Sequence, residues 1–158
     1  MTLKGLDDLD RYILHELQSD ARHTSSKDIA ERMDVSPSTV RKRIQRLEDK
    51  GIIAGYRAEI DFERAGYLLR VQIVCTAPIT EREELADRAL DVPGVLSVRE
   101  LAVGEENLLV SVVAVDNDDL TRIASELSEL GLAVSEEQLI RGERFGPYHG
   151  FAGEDEGD

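Results

Sequence analysis

The sequence feature that most constrains the fold is a basic segment that directly follows a Ser-Pro pair. It reads PSTVRKRIQRLEDK from Pro37 to Lys50. Ser36 can cap the N-terminus of a helix, and Pro37 suits the first helical position, where no N–H is needed. Apolar residues recur at spacings of four and three, so one face of the predicted helix points into a core. These residues are Val40, Ile44 and Leu47.

Two further helical patterns precede this segment. Residues 6–20 predict a helix that Asp7 caps. Its apolar face consists of Leu9, Ile13 and Leu17. A shorter helix begins after Ser25 or Ser26 and continues to about Met33. Three or four residues join it to the basic helix, and two helices joined in this way, the second of them basic, are typical of a helix-turn-helix.

The polar faces of the basic helix are suited to contact with double-stranded DNA. Short hydroxyls in its first turn can bind phosphates and base edges, and its basic arc can neutralise backbone phosphate. The candidate contact residues on this helix are Ser36, Ser38, Thr39, Arg41, Lys42, Arg43 and Arg46. Arg43 is the member that we expect to be partly structural. A solvated basic face on a purely structural helix is the alternative interpretation.

The segment after Gly51 predicts a wing. Gly51 ends the basic helix, and residues 52–61 are expected to form a short hairpin with a glycine in its turn. Arg57 lies in this hairpin and could contact phosphate. A structural surface arginine is the alternative for that position.

The net charge of −14 is unusual for a protein that binds nucleic acid. However, residues 1–57 carry 11 Lys and Arg against 10 Asp and Glu, whereas residues 58–158 carry 8 against 23. The acidic residues therefore lie mainly outside the first third, which indicates two different roles for the two parts. Only four of the 19 basic residues are Lys. An acidic, Lys-poor surface favours an origin in a high-salt cytoplasm, where net charge keeps a protein soluble, and an acidic mesophilic domain is the alternative.

The rest of the chain predicts a β-α-β-β-α-β module. Strands are expected at 67–77, 95–102, 107–115 and 132–140, with helices at 80–91 and from Asn117 or Asp118 to Gly131. This order is the ferredoxin-like split βαβ arrangement, in which both helices cover one sheet face. The strand NLLVSVVAV is apolar on both sides. A second copy of the chain should therefore cover the other face, which predicts a homodimer.

Several classes of protein are excluded by what the sequence lacks. It has no run of about 18 apolar residues and no apolar N-terminal segment, so we expect neither a membrane span nor a secretion signal but a cytoplasmic protein. Cys75 is the only cysteine, which rules out an intramolecular disulfide and a multi-cysteine metal site. Cys75 is expected to be a buried, inert thiol. No nucleophile triad, phosphate loop or metal motif is present, so we predict no cofactor, no metal and no enzyme activity.

Residues 6–61 resemble the DNA-binding half of the Lrp/AsnC (feast/famine) transcriptional regulators. The matching stretches include Leu6-Asp7, Ile13-Leu14, Ile29-Ala30, Ser36-Pro37-Ser38-Thr39-Val40, Arg43-Ile44 and Gly51-Ile52-Ile53. The resemblance implies an α+β protein with a winged helix-turn-helix at 1–61, a linker at 62–66 and a βαββαβ effector and dimerisation domain at 67–141. An acidic tail, disordered after about residue 152, completes it at 142–158. Dimers formed sheet to sheet, which can assemble further into octamers, are also implied.

The resemblance further implies an amino-acid effector near the turn between the second and third strands. Gly104 matches the family glycine there. Glu106 and Asn107, however, stand where the family has an aromatic residue and an Asp. Asn107 can accept a hydrogen bond from an ammonium group but supplies no counter-charge. A plain hairpin turn is the alternative role of Gly104.

Two other functions remain open from the sequence. Sirohaem decarboxylases resemble this two-part architecture, but the chain has no Trp and carries Leu96-Ser97-Val98-Arg99 where those enzymes have a His-x-Tyr-x-Arg stretch. A module that docks protein partners and has lost DNA binding is the other possibility. The aromatic stretch from Phe145 to Phe151 is not explained by the family pattern and could dock on the dimer or on a partner.

Overall fold

The computed structural model describes residues 5–152, which fold into two compact units. The first contains residues 5–58 together with 144–152, and the second contains residues 59–143. The chain therefore passes from one unit to the other twice. The disorder predicted after about residue 152 lies outside the described residues.

Three helices form the main part of the first unit, and each begins at the predicted cap. They are α1 (Asp8–Asp20), α2 (Ser26–Met33) and α3 (Pro37–Asp49). The backbone N–H of Asp10 donates to the Asp7 carboxylate at 2.9 Å, and that of Thr39 donates to Ser36 Oγ at 3.2 Å. These bonds satisfy N–H groups that have no partner within the helix. A short 3₁₀ helix (His149–Phe151) belongs to the same unit.

The apolar faces of the three helices enclose one core. Ile13, Ile29, Val40 and Leu47 are all at least 98% buried in it. Because Val40 and Leu47 turn one side of α3 inward, Arg41, Lys42 and Arg46 lie on its outer side.

The prediction of a hairpin at 52–61 is wrong, because the structure has no strand in that segment. The N–H groups of Ile52 and Ile53 both donate to the carbonyl oxygen of Leu47, at 2.9 and 3.1 Å, and so close the C-terminus of α3. Ile53 packs on the helical core, while residues 54–60, here called the irregular segment, form neither helix nor strand and are exposed. An isolated two-stranded ribbon is marginally stable in water, and the first two residues of this segment already use their N–H groups on α3.

The second unit is the predicted βαββαβ module. Its elements are β1 (Leu69–Thr76), α4 (Arg82–Leu90), β2 (Val95–Glu100), β3 (Leu108–Ala114), α5 (Asn117–Glu129) and β4 (Ala133–Leu139). The antiparallel sheet has the order β2-β3-β1-β4. The predicted α+β fold class is thereby confirmed. One detail differs: the helix expected from residue 80 begins at Arg82, with Glu81 at the cap position and no side-chain cap bond.

Alternate residues of β1 and β3 pack against α4 and α5. Val71, Ile73, Leu108 and Val112 are at most 2% exposed. Cys75 is fully buried among them, and burial raises the pKa of its thiol to about 11. The prediction of a buried thiol is confirmed, and at neutral pH it stays protonated and a poor nucleophile.

The opposite face of the sheet is less apolar than the sequence suggested. Val74 and Val113 lie there at about 5% exposure, but polar side chains separate them. Gln72 donates to Gln138 at 2.9 Å, and Arg70 Nη2 lies 3.5 Å from Ser111 Oγ. A surface that covers this face must therefore offer hydrogen-bonding groups as well as apolar area.

Candidate nucleic-acid interface

The outer side of α3 presents three basic residues that have no carboxylate partner among the described residues. Arg41, Lys42 and Arg46 are exposed, and within residues 5–152 no ion pair or side-chain hydrogen bond involves them. Ser38, Arg41 and Lys42 stand three and four residues apart, so they share one helical face. Such a face can enter a major groove with its long side chains directed at phosphates and base edges.

Gln45 lies on this same face and was missed by the sequence argument. It is exposed and follows Ser38 by seven residues, that is, by two helical turns. Its Nε2 donates to Asp49 Oδ1 at 2.9 Å. A side-chain amide can bind adenine through two hydrogen bonds in the major groove. The helical spacing alone could have identified this position.

The hydroxyl groups at the start of α3 form a small network. Ser36 Oγ lies 2.8 Å from Thr39 Oγ1 and 3.0 Å from Ser38 Oγ. Ser36 is thus occupied in capping, and Thr39 is half-buried beside it. Ser38 is exposed and directly precedes the basic face. A helix N-terminus with free N–H groups also attracts phosphate.

Arg43 does not belong to the exposed basic face. Its guanidinium donates to both Asp7 and Asp10, with Nη1 3.1 Å from Asp10 Oδ1. The hydrogen bond from Arg43 to Asp7, followed by that to Asp10, raises the pKa of Arg43, and the arginine is therefore held as a cation against α1. Asp10 is 2% exposed and so depends on this partner. The structural role expected for Arg43 is the main one in this structure.

Arg57 lies in the irregular segment after α3. It is exposed, and among the described residues it takes part in no ion pair. The structure does not bring it into contact with the basic face of α3, because no hairpin turns the chain back there.

The three residues predicted to bind an effector are only partly together. Gly104 and Glu106 line an open depression beside Thr76, Ala133 and Ser135. Glu106 Oε1 accepts a hydrogen bond from Ser135 Oγ at 2.9 Å. Asn107 is instead 3% exposed.

The buried amide of Asn107 fixes the start of β3. Its Oδ1 accepts from the N–H of Ala77 at 2.8 Å, and its Nδ2 donates to the Ala77 carbonyl at 2.9 Å. The side chain thereby joins the ends of two strands. This pairing occupies the amide that the sequence suggested for an ammonium group.

The described part of the chain contains no cluster of three or more His, Cys, Asp or Glu residues that could hold a metal ion. None of its helices is long and apolar enough to cross a membrane.

Comparisons with known proteins agree with this geometry. Residues 6–54 match the family model described as winged helix-turn-helix DNA-binding. The HTH-type transcriptional regulator LrpA of Pyrococcus horikoshii is 36% identical over 122 residues, which cover 76% of this chain and 84% of that protein. The HTH-type transcriptional regulator AldR of Mycolicibacterium smegmatis is 33% identical over 78% of this chain and 72% of its own.

Two solved structures from Mycobacterium tuberculosis share the fold. The leucine response regulatory protein LrpA superposes with a TM-score of 0.75 at 26% identity, over 89% of this chain and 96% of that one. A feast or famine regulatory protein complexed with L-methionine gives a TM-score of 0.78 at 26% identity, over 90% of this chain and 96% of that one.

Proposed function

The chain belongs to the Lrp/AsnC family of DNA-binding transcriptional regulators, and from this premise we propose that it reads its operator with the outer face of α3 in the major groove. Ser38, Arg41 and Lys42 face the DNA in this proposal, with Arg46 on the flank against phosphate. Arg57 adds a phosphate contact from the irregular segment. Ser36, Thr39 and Arg43 act indirectly, because they hold α3 in place.

One observation carries this assignment. In a chain with a net charge of −14, the outer side of α3 concentrates three exposed basic residues without carboxylate partners in the described structure. Arg43, in the same helix, is by contrast paired with Asp7 and Asp10. Unpaired cations on one helical face are what a phosphate backbone requires.

The decarboxylase alternative is not supported. The relatives are named as transcriptional regulators, and the basic face of α3 has no purpose in that enzyme.

We propose that the protein acts as a homodimer, or a higher oligomer such as an octamer, through the sheet face that α4 and α5 leave open. Half-buried Leu109, which pairs with Val74, leaves apolar area on this face, and Gln72 and Gln138 supply hydrogen-bonding groups. A dimer with a two-fold axis would offer two α3 helices for the two halves of a palindromic operator.

We also propose that the depression beside Gly104 binds an amino acid. The L-methionine complex of a structural relative motivates this assignment. Glu106, which lies in the depression next to Ser135, provides the negative charge for an ammonium group. Asn107 keeps the turn in shape through Ala77 and does not contact the ligand.

Fluorescence anisotropy with a DNA fragment from the gene's own upstream region tests the role of α3. Arg41→Ala and Arg46→Ala should each weaken binding by about tenfold or more. Arg88→Ala is the matched control, because it removes one exposed positive charge from α4 in the second unit. Equal losses in all three variants would mean that only net charge matters and that α3 does not read DNA.

A further inference from the structure

The end of the described chain returns to the first unit. Residues 144–152, here called the C-terminal strap, follow the last residue of the second unit, Glu143. Their aromatic residues were expected from the sequence to dock on a dimer partner or another protein. In the structure, Phe151 instead packs on the helical core of the first unit.

Phe151 also forms one wall of an open groove between α1 and the irregular segment. Leu14, Leu17, Ile53 and Tyr56 are among the residues that line this groove, which has a volume of about 310 Å³. The backbone N–H of Tyr148 donates to Gln18 Oε1 at 2.9 Å, so a hydrogen bond adds direction to the apolar contact.

The strap has an internal structure that presents Phe151 to the groove. The rings of Tyr148 and Phe151 meet edge to face, with centroids 4.9 Å apart, a geometry that stabilises aromatic pairs. A Cβ at Gly150 would lie 2.5 Å from the Tyr148 ring. Only glycine therefore allows the ring to lie over this turn, which makes the strap more than an unstructured end that touches α1 by chance.

The chain is also fixed on the other side of the strap, within the second unit. Arg70 Nη2 pairs with the Glu143 carboxylate at 2.9 Å, and the N–H of Ile140 donates to the Arg70 carbonyl at 2.8 Å. Only residues 144–147 separate Glu143 from Tyr148. Fully extended, the chain between these two anchors spans at most about 18 Å.

We propose that the C-terminal strap is a short second tether between the two units, anchored by Phe151 on α1 and by Glu143 on Arg70. The tether restricts the movement of the first unit relative to the second. This role is independent of which DNA or effector the protein binds. The tether connects β4, on which Ala133 and Ser135 lie, to α1 through the short chain from Glu143 and the noncovalent contacts of Tyr148 and Phe151.

The anchor is tested by amide hydrogen exchange on the full-length protein without DNA. Phe151→Ala should make exchange in residues 14–21 and 52–57 about tenfold faster, because a half-buried aromatic contact is lost. Phe145→Ala is the matched control, since Phe145 is 70% exposed in the same strap. Phe151→Leu, which keeps most of the apolar volume, should restore slow exchange. Equal exchange in Phe151→Ala and Phe145→Ala would overturn the proposal.

The tether itself is tested by distances between spin labels. Labels at Lys27→Cys and Asp87→Cys report on the two units, because both positions are exposed on helices. An excess of unlabelled protein suppresses distances between copies. A Gly-Ser-Gly-Ser insertion between Phe145 and Gly146, or Phe151→Ala, should broaden the distance distribution, and Phe145→Ala should not. An unchanged distribution in the insertion variant would show that the strap restrains nothing.

Discussion

Arg43 in α3 and Asp10 in α1 form an ion pair, with Arg43 Nη1 3.1 Å from Asp10 Oδ1, and the Asp10 side chain is 3% exposed. The neighbouring Asp7, which caps α1, accepts a second bond from the same guanidinium. One arginine thus joins the start of α1 to the middle of α3. Arg41, only two residues away, is exposed and unpaired in the described structure.

This contrast predicts opposite phenotypes for two similar substitutions. Arg43→Met leaves the buried Asp10 carboxylate without its cation and should lower the free energy of unfolding by about 2 kcal/mol. Arg41→Met should leave stability nearly unchanged and weaken DNA binding by about tenfold. Denaturant unfolding followed by circular dichroism and anisotropy titrations measure the two effects. Similar stability losses in the two variants would contradict the structural role of Arg43.

The N-terminal cap of α1 should make the protein sensitive to acid. The backbone N–H of Asp10 and the guanidinium of Arg43 hold the pKa of Asp7 below its usual 3.8, although burial opposes this shift. Because the folded-state pKa is the lower one, the stabilisation is present above pH 3.8 and is lost as the pH falls through the folded-state value. Asp7→Ser keeps an oxygen at the cap without the charge.

We therefore expect the melting temperature of Asp7→Ser to fall less than that of the wild type when the pH is lowered through this range. Thermal melts at a series of pH values measure the difference. If the melting temperatures of the two proteins fell equally with pH, Asp7 would carry no part of the acid sensitivity.

Gly94 should tolerate no larger residue. Its φ is +103°, and a Cβ there would lie 2.6 Å from Ile123 Cδ1 and 3.0 Å from the Val113 carbonyl oxygen. Its own carbonyl accepts from the N–H of Val113 at 2.9 Å, so the backbone cannot simply move away. Gly94→Ala should lower the free energy of unfolding by about 3 kcal/mol through backbone strain and overpacking together.

The matched control for this substitution is Gly131→Ala. Gly131 has a φ of +105° but open space at its Cβ position, so only the backbone term of about 1 kcal/mol should appear. Chemical unfolding of both variants separates the two costs, and equal losses would show that the contact with Ile123 is relieved at little cost.

Salt dependence should distinguish phosphate contacts from base contacts on α3. Each phosphate contact contributes about −0.9 to the slope of log K against log salt. Arg46→Ala should flatten this slope by the amount that one phosphate contact contributes. Ser38→Ala should weaken binding but leave the slope unchanged. We further expect specific binding by the intact protein to persist in high KCl, in line with its acidic, Lys-poor composition. Loss of binding above a few hundred millimolar KCl would contradict the prediction of a high-salt origin.

Much of the fold was predictable because its signals are local. The caps Asp7, Ser25 and Ser36 act on N–H groups three residues away, so the sequence alone locates the helix starts. The apolar spacing of α3 likewise identifies its outer face, on which Arg41 and Lys42 lie. The prediction of a hairpin after Gly51 was wrong for a local reason as well. The backbone carbonyl of Leu47, in the last turn of α3, accepts from the N–H groups of Ile52 and Ile53, which a hairpin would need.

The roles of individual candidate residues depended instead on contacts between distant parts of the chain. Arg43 and Asp10 are 33 positions apart, Asn107 and Ala77 are 30 apart, and Tyr148 and Gln18 are 130 apart. Composition and periodicity identify which residues have the right chemistry, but not which of them already have a partner inside the protein. The two-part architecture and the basic helix can be predicted from local signals, since both follow from hydrogen bonds and side-chain periodicity within short segments. Tertiary packing is needed to see that Arg41 has no partner among residues 5–152 while Arg43 and Asn107 are already paired, because packing sets which polar groups lose water and must pair with one another.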